Sequence, residues 1–197
     1  MAEPRLTLAR SELIIGGQKS GKSRRAELLA LAWLAQSPDR RAVLIATAQP
    51  WDEEMRERIA RHQQDRAARV PGMQTVEEPL QLAQALARHS QPDTLVVVDC
   101  LTLWLTNWLM PAENHEQNRP PAQYPSAQAA MFLEAINGRL GPIVLVGNEI
   151  GLGVIPLGRE TRAFVDALGR LNQDVAQACE RVTLMAAGLP LTLKGRP

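Results

Sequence analysis

The chain is poor in the residues that mark several specialised classes of protein. Cys100 and Cys179 are its only cysteines, and both stand in apolar segments without C-x-x-C spacing, which argues against a disulfide framework or a zinc site. Aromatic residues make up 4% of the sequence, and the formal net charge is only +1. Such a balance provides no field that would attract nucleic acid. We therefore expect a protein of a reducing compartment that does not bind nucleic acid.

Long hydrophobic runs are also missing. The longest apolar region, residues 95–110, is interrupted by Asp99 and Asn107 and is too short to cross a bilayer. Residues 1–12 are charged and lack the apolar centre of a signal peptide. We expect a cytoplasmic protein without stable membrane insertion, and the length of 197 residues with no domain-sized change in composition predicts a single domain over 1–197.

Short apolar runs separated by helix-like sequence are present instead. They lie at Leu13–Ile15, Ala42–Ala46, Thr94–Val98, Ile143–Val146 and Val182–Met185. This pattern predicts an α/β fold, a mainly parallel sheet with helices on both faces. Residues 189–194 follow Gly188 directly and predict an antiparallel C-terminal strand, which Pro190 confines to an edge. Residues 111–126 contain four prolines and predict a loop that forms neither a helix nor a central strand.

A complete phosphate-binding loop follows the first apolar run. Its residues are Gly16, Gly17, Gln18, Lys19, Ser20, Gly21, Lys22 and Ser23. The glycines allow backbone N–H groups to surround an anion, and the helix that follows adds its N-terminal dipole. Lys22 can reach the β- and γ-phosphates, and the Ser23 hydroxyl can bind the Mg²⁺ that bridges them. The pattern predicts a P-loop NTPase-type domain.

Polar residues follow the other predicted strands and are expected to share one cleft with this loop, because ligands bind beyond the carboxyl ends of parallel strands. They are Thr47, Ala48 and Gln49 after the second run, Asp99 after the third, and Asn148 and Glu149 after the fourth. Asp99 is predicted to bind Mg²⁺ or nucleotide, directly or through water. The alternative role for Asp99 is to cap the helix that begins at Leu101.

His62 ends a helix-like segment in which Met55 and Ile59 share its face. From spacing alone, a histidine in this position is most often a partly buried structural residue.

The order of these motifs resembles the bifunctional adenosylcobinamide kinase and adenosylcobinamide-phosphate guanylyltransferase family of cobalamin biosynthesis. The matching blocks are residues 16–23, 45–49, 54–62, 98–107, 148–156, 169–173 and 190–194. In this family, the histidine at the position of His62 attacks the α-phosphate of GTP and carries GMP as a phosphoramidate. The resemblance also implies guanine-nucleotide contacts at Thr47, Ala48, Gln49, Gln63, Gln64, Asp65, Arg66, Glu77 and Asp99.

The resemblance implies a catalytic role for Lys22 and His62, Mg²⁺ as cofactor, ATP and GTP as substrates, and adenosylcobinamide as the corrinoid acceptor. It also implies a homo-oligomer, since family members form trimers. Two alternatives remain from the residues alone. One is a monofunctional P-loop kinase of a small molecule, in which His62 is structural. The other is a nucleotide-gated interaction module, although the Asn-Lys-x-Asp guanine signature of a typical GTPase is absent.

Overall fold

A computed structural model describes residues 6–110, 124–153 and 157–196. Seven strands form one sheet in the order β3-β2-β4-β5-β1-β6-β7. The strands are β1 (Ser11–Gly16), β2 (Arg41–Ala46), β3 (Met73–Glu77), β4 (Thr94–Asp99), β5 (Ile143–Val146), β6 (Arg181–Ala186) and β7 (Leu189–Lys194). The helices are α1 (Lys22–Leu34), α2 (Glu53–Arg69), α3 (Leu82–His89), α4 (Leu101–Leu109), α5 (Tyr124–Asn137) and α6 (Arg159–Ala178).

The sheet is parallel except for its last pair. Strands β1 to β6 pair in parallel, whereas β7 pairs with β6 in the antiparallel direction, so that Met185 lies opposite Pro190. Pro190 has no N–H to donate, and it is accommodated because β7 forms an edge of the sheet. The predictions of an α/β fold and of an antiparallel C-terminal edge strand are confirmed.

Helices cover both faces of the sheet, as the apolar character of its central strands requires. Helices α3 to α6 pack on one face, where Trp104, Phe132 and Leu168 are almost fully buried. Helix α1 packs on the other face through Leu29 and Ala30. Strand β4 is buried on both sides for this reason. No helix among the described residues has the length and apolar character needed to cross a membrane.

Two local features differ from the sequence-based expectation. Strand β3 was not predicted, because as an edge strand with mostly exposed residues it has no continuous apolar run. The predicted loop over 111–126 is wrong at its C-terminal end, where residues 124–126 begin α5. Pro125 is compatible with this helix because the N–H groups of a first helical turn have no intrahelical acceptor. Residues 111–123 of that prediction lie outside the described residues.

Candidate functional site

The phosphate loop connects the buried strand β1 to α1, and two of its glycines are required by its geometry. A Cβ atom on Gly16 would lie 2.4 Å from the Met185 carbonyl oxygen, so only glycine fits between the adjacent strands. Gly21 has a φ of +101° immediately before α1, a conformation that glycine adopts without steric cost. Backbone strain is therefore avoided where the loop turns into the helix.

Lys22 lies at the first position of α1 and is buried. Its ammonium group donates a hydrogen bond of 2.6 Å to the Gly17 carbonyl oxygen, so the side chain folds back over the loop. Burial lowers the pKa of Lys22, and the nearby charge of Asp99 opposes that shift. A buried cation at the start of a helix, beside the loop, is suited to binding phosphate oxygens.

Two neighbouring segments hold the loop in place. The turn between β6 and β7 contacts it, because the Gly188 N–H donates to the Ser20 carbonyl oxygen over 3.0 Å. On another side, the Glu149 N–H donates to the Gly16 carbonyl oxygen over 3.2 Å. The loop is thus attached to residues that follow β5 and β6, as well as to its own strand and helix.

The structure brings the predicted strand-end residues together at one edge of the sheet. Ala46 is aligned with both Glu77 and Asp99, at the ends of the neighbouring strands β3 and β4. The Thr47 N–H donates to the Asp99 carbonyl oxygen over 3.2 Å. The Asn148 N–H donates to the Thr102 hydroxyl over 2.9 Å, which ties the end of β5 to α4. These residues share the edge that carries the phosphate loop.

Asp99 does not cap the following helix, so that alternative is wrong. The N-cap of α4 is Cys100, whose Sγ accepts a hydrogen bond from the Leu103 N–H over 3.5 Å. Burial raises the pKa of the Cys100 thiol to about 12, so the thiol is neutral and packs in the core. The Asp99 carboxylate is left half-buried at the strand end, within electrostatic reach of Lys22.

Arg66 of α2 brings a second cation to this carboxylate. Burial lowers the pKa of Arg66, and the charges of Asp99 and Glu27 oppose the shift. The charge of Asp99 thus acts on a guanidinium that comes from a different element of the fold. Lys22 and Arg66 together give the region around Asp99 the positive charge that a triphosphate requires.

Thr47 is fully buried, and all of its polar groups have partners inside the protein. Its hydroxyl donates to the Cys100 carbonyl oxygen over 2.7 Å and accepts from the Cys100 N–H over 2.9 Å. Its own carbonyl oxygen accepts from the Asn107 side-chain amide over 2.8 Å. Ala48 and Gln49 follow it and are half-buried, and the Gln49 Oε1 atom has no hydrogen-bond partner within the described chain. Gln49 thus retains a free acceptor at this edge.

Helix α2 carries His62 and has no buried residue. Asp52 caps its N-terminus by accepting from the Met55 N–H over 2.7 Å. The Gln63 amide donates to the Glu77 carboxylate at the end of β3 over 3.0 Å, and Arg69 pairs with Glu27 of α1 at 3.2 Å. Polar contacts therefore orient this helix.

His62 is exposed on α2, so the expectation of a partly buried structural histidine is not what the structure shows. The neighbouring residues Gln63 and Gln64 are exposed, and Asp65 forms an ion pair with Arg69 at 3.2 Å. An exposed imidazole is accessible to a phosphorus atom without rearrangement of the core. Its catalytic role remains a prediction.

The residues predicted to hold Mg²⁺ are suited to that ion. No group of three or more His, Cys, Asp or Glu side chains that could hold a metal occurs among the described residues. In nucleotide sites, however, Mg²⁺ keeps several waters and takes one or two protein oxygens together with phosphates. The half-buried Ser23 hydroxyl beside Lys22 and the Asp99 carboxylate supply such oxygens.

Asn107 was given no role by the sequence analysis, although it is buried against this edge of the sheet. Its side-chain amide donates to the carbonyl oxygens of Thr47 and Pro79. The signal available in the sequence was a lone amide in the otherwise apolar stretch around Trp104 and Trp108.

Comparison with known proteins matches most of the chain to one family. The sequence model described as "Cobinamide kinase / cobinamide phosphate guanyltransferase" matches residues 12–193. The chain belongs to this family. It is 46% identical over 187 residues to the bifunctional adenosylcobalamin biosynthesis protein CobP of Pseudomonas aeruginosa, a match that covers 94% of this chain and 98% of that protein.

Two enterobacterial members of the family are more distant. The bifunctional adenosylcobalamin biosynthesis proteins CobU of Salmonella typhimurium and Escherichia coli are 33% and 31% identical to this chain. Each match covers 92% of this chain and 98% of the relative. The family recognised from the motifs is confirmed, and with it the prediction of a bifunctional kinase and guanylyltransferase of cobalamin biosynthesis.

Proposed function

We propose that the chain phosphorylates adenosylcobinamide with ATP or GTP and then transfers GMP from GTP, through a guanylyl group on His62, to give adenosylcobinamide-GDP. The observation that carries the proposal is the division of the site into two parts. Asp99 lies at the end of the buried strand β4, and Lys22 lies at the start of α1 and bonds to the Gly17 carbonyl oxygen, whereas His62 is exposed on a helix attached by polar contacts. One part is suited to fixing phosphates and the other to presenting a nucleophile.

In the kinase reaction, the oxygen of the aminopropanol hydroxyl forms a bond to the γ-phosphorus, and the bond from that phosphorus to the β–γ bridging oxygen breaks. The nucleoside diphosphate leaves, and the hydroxyl proton is released. The N–H groups of residues 16–21 and the Lys22 ammonium would bind the phosphate oxygens as charge develops on them. Bound Mg²⁺ would neutralise charge on the β- and γ-phosphates, with Ser23 and Asp99 as its protein ligands.

In the guanylyltransfer reaction, an imidazole nitrogen of His62 forms a bond to the α-phosphorus of GTP, and pyrophosphate leaves. A phosphate oxygen of adenosylcobinamide phosphate then forms a bond to that phosphorus, and the imidazole leaves. Dividing the transfer between two displacements lets the neutral imidazole act as both nucleophile and leaving group. We assign Arg66 and Gln49 to GTP binding, since the charge of Asp99 acts on Arg66 and Gln49 has a free acceptor.

The test is covalent labelling with GTP carrying the label at either the α- or the γ-phosphate. The wild-type protein should retain the α-label in an acid-labile adduct and should not retain the γ-label. His62→Ala should lose the adduct and keep the kinase activity. His89→Ala is the matched control, because His89 lies at the end of α3. Equal α-labelling of His62→Ala and wild type would contradict the assignment, and no α-label in wild type would favour a monofunctional kinase.

We further propose that the protein is cytoplasmic, does not bind nucleic acid, and forms a homo-oligomer that is a trimer by family resemblance. The oligomer is supported by surfaces that one chain leaves open. Leu189, Leu191 and Leu193 of the edge strand β7 are all more than half exposed, at 71%, 57% and 54%.

A further inference from the structure

Asn107 occupies a position where an apolar residue would be expected. It lies in α4 among leucine and tryptophan side chains and is only 6% exposed. A primary amide is costly to bury unless its donors are satisfied. Both N–H groups are accounted for here, because Nδ2 donates to the Thr47 carbonyl oxygen over 2.8 Å and to the Pro79 carbonyl oxygen over 3.0 Å.

The first of these bonds leads directly to Asp99. Thr47, which accepts it, donates its own N–H to the Asp99 carbonyl oxygen over 3.2 Å. The Thr47 hydroxyl also bonds to both the N–H and the carbonyl oxygen of Cys100, the residue after Asp99. A continuous series of hydrogen bonds therefore runs from the Asn107 amide, through Thr47, to the Asp99–Cys100 peptide and the Cys100 carbonyl oxygen, the backbone that directly follows the Asp99 side chain.

The second bond holds the segment that follows β3. Pro79 lies two residues after Glu77, and the next residue is also held by α4, since the Trp104 indole N–H donates to the Leu80 carbonyl oxygen over 2.9 Å. Trp104 alone would anchor this segment. Asn107 also joins it to the segment after β2, where the Glu78 N–H already donates to the Ala46 carbonyl oxygen over 2.9 Å, so its amide helps to fix the ends of two neighbouring strands relative to α4.

We propose that Asn107 is a positioning residue for phosphoryl transfer, which acts through Thr47 to fix the Asp99 carboxylate relative to Lys22. The proposal rests on the proposed function, in which Asp99 binds Mg²⁺ or nucleotide. Without the amide, the Thr47 carbonyl oxygen loses its donor, and the Thr47 segment that bonds to the Asp99–Cys100 backbone loses its hydrogen bond to α4. A displacement of about 1 Å at a reacting centre can lower a rate on the order of 10²-fold.

Asn107→Leu tests this proposal, because leucine has a similar volume and no donor. We expect kcat of the kinase step to fall about 10- to 100-fold. KM for the nucleotide should rise by less than about threefold, and only through the contribution of Mg²⁺, since the loop that binds the phosphates is untouched. Calorimetric titration with ATP should show that the gain in affinity caused by Mg²⁺ is reduced. The matched control is Gln128→Leu, which removes another buried amide, in α5.

Thr47→Val is the second variant, because valine keeps the shape of threonine and removes only the hydroxyl link to Cys100. If Asn107→Leu does not fold, Thr47→Val should show the same fall in kcat, the same small change in KM and the same reduced gain in ATP affinity with Mg²⁺. If both single variants fold, the double variant should lose less than the sum of the two effects, since both substitutions interrupt one series of hydrogen bonds.

Two results would overturn the proposal: kinetics of Asn107→Leu that match those of Gln128→Leu, or additive effects of Asn107→Leu and Thr47→Val. Asp99→Asn distinguishes failure of the positioning role of Asn107 from failure of the proposed function. If Asp99→Asn keeps the Mg²⁺-dependent gain in ATP affinity, the assigned role of Asp99 is wrong. If it loses that gain while Asn107→Leu keeps it, only the positioning role of Asn107 is wrong.

Discussion

Replacing Glu12 with glutamine would test the buried ionic cluster that joins α1 to the sheet. Glu12 lies near the start of β1 and is fully buried. Its Oε1 atom accepts from the Arg25 Nε over 3.0 Å and from the Thr183 hydroxyl over 2.8 Å, and its Oε2 atom accepts from Arg181 over 3.3 Å. Arg25 lies one turn after Lys22, so the cluster ties the helix of the phosphate loop to β1 and β6.

The expected loss of stability in Glu12→Gln follows from the burial of the side chains that Glu12 contacts. The arginine side chains are only 13% and 8% exposed in these ion pairs. Glutamine keeps the shape of glutamate but provides no negative charge, which leaves two cations in a poorly hydrated site. Breaking a buried pair by removing one partner costs about 3–5 kcal/mol. That is a large part of the total stability of about 5–15 kcal/mol that is usual for a folded domain.

Urea denaturation at pH 7 measures this loss as a lower midpoint at an unchanged slope. Arg41→Gln is the matched control, because the Arg41–Asp93 pair is 3.9 Å long and its side chains are 77% and 46% exposed. An exposed pair of this kind contributes about 0–1 kcal/mol. If Glu12→Gln lost no more stability than Arg41→Gln, the reasoning from burial would be refuted.

Two further predictions concern nucleotide binding and assembly. Burial lowers the pKa of Lys22, so its ammonium loses its proton at a lower pH than an ordinary lysine, whose pKa is 10.5. ATP affinity measured by calorimetry should therefore begin to decline below that pH, whereas Lys22→Arg should show no such decline. A flat profile for the wild-type protein up to that value would contradict it. Light scattering after size exclusion should give three times the chain mass of 21.7 kDa, whereas a monomer mass would exclude the proposed trimer.

The sequence was informative wherever local pattern and structural role coincide. Central strands such as β4 are buried on both faces, so their apolar runs could be recognised. Strand β3 could not, because its exposed Gln74 and Thr75 give an edge strand the composition of a loop. The glycines of the phosphate loop were predicted for their conformational freedom, but the limit that Met185 sets on Gly16 depends on a strand far away in the sequence.

The sequence motifs do not predict contacts between side chains that are distant in sequence. Thr47 was assigned to nucleotide contact, and only the structure shows that its hydroxyl is engaged by Cys100. The position of Thr47 in the family motif is therefore also compatible with a structural role, in which it holds the backbone of the site in place. The link between Arg69 and Glu27 was also not predicted, since it joins α2 to α1 through residues that are 42 positions apart. Such contacts depend on the packing of whole elements, which no local pattern specifies.

The two parts of the site are held by different forces, and this difference suits the two proposed reactions. The phosphate loop and Asp99 are fixed by the buried sheet, whose main-chain hydrogen bonds and apolar packing act together. The orientation of His62 depends on a few polar contacts at Asp52, Glu77 and Glu27, each contributing on the order of 1 kcal/mol. A phosphoryl transfer that relies on electrostatic positioning needs the rigid part. A histidine that reacts first with GTP and then with a bulky corrinoid phosphate needs access to both, and an exposed helix without buried residues provides it.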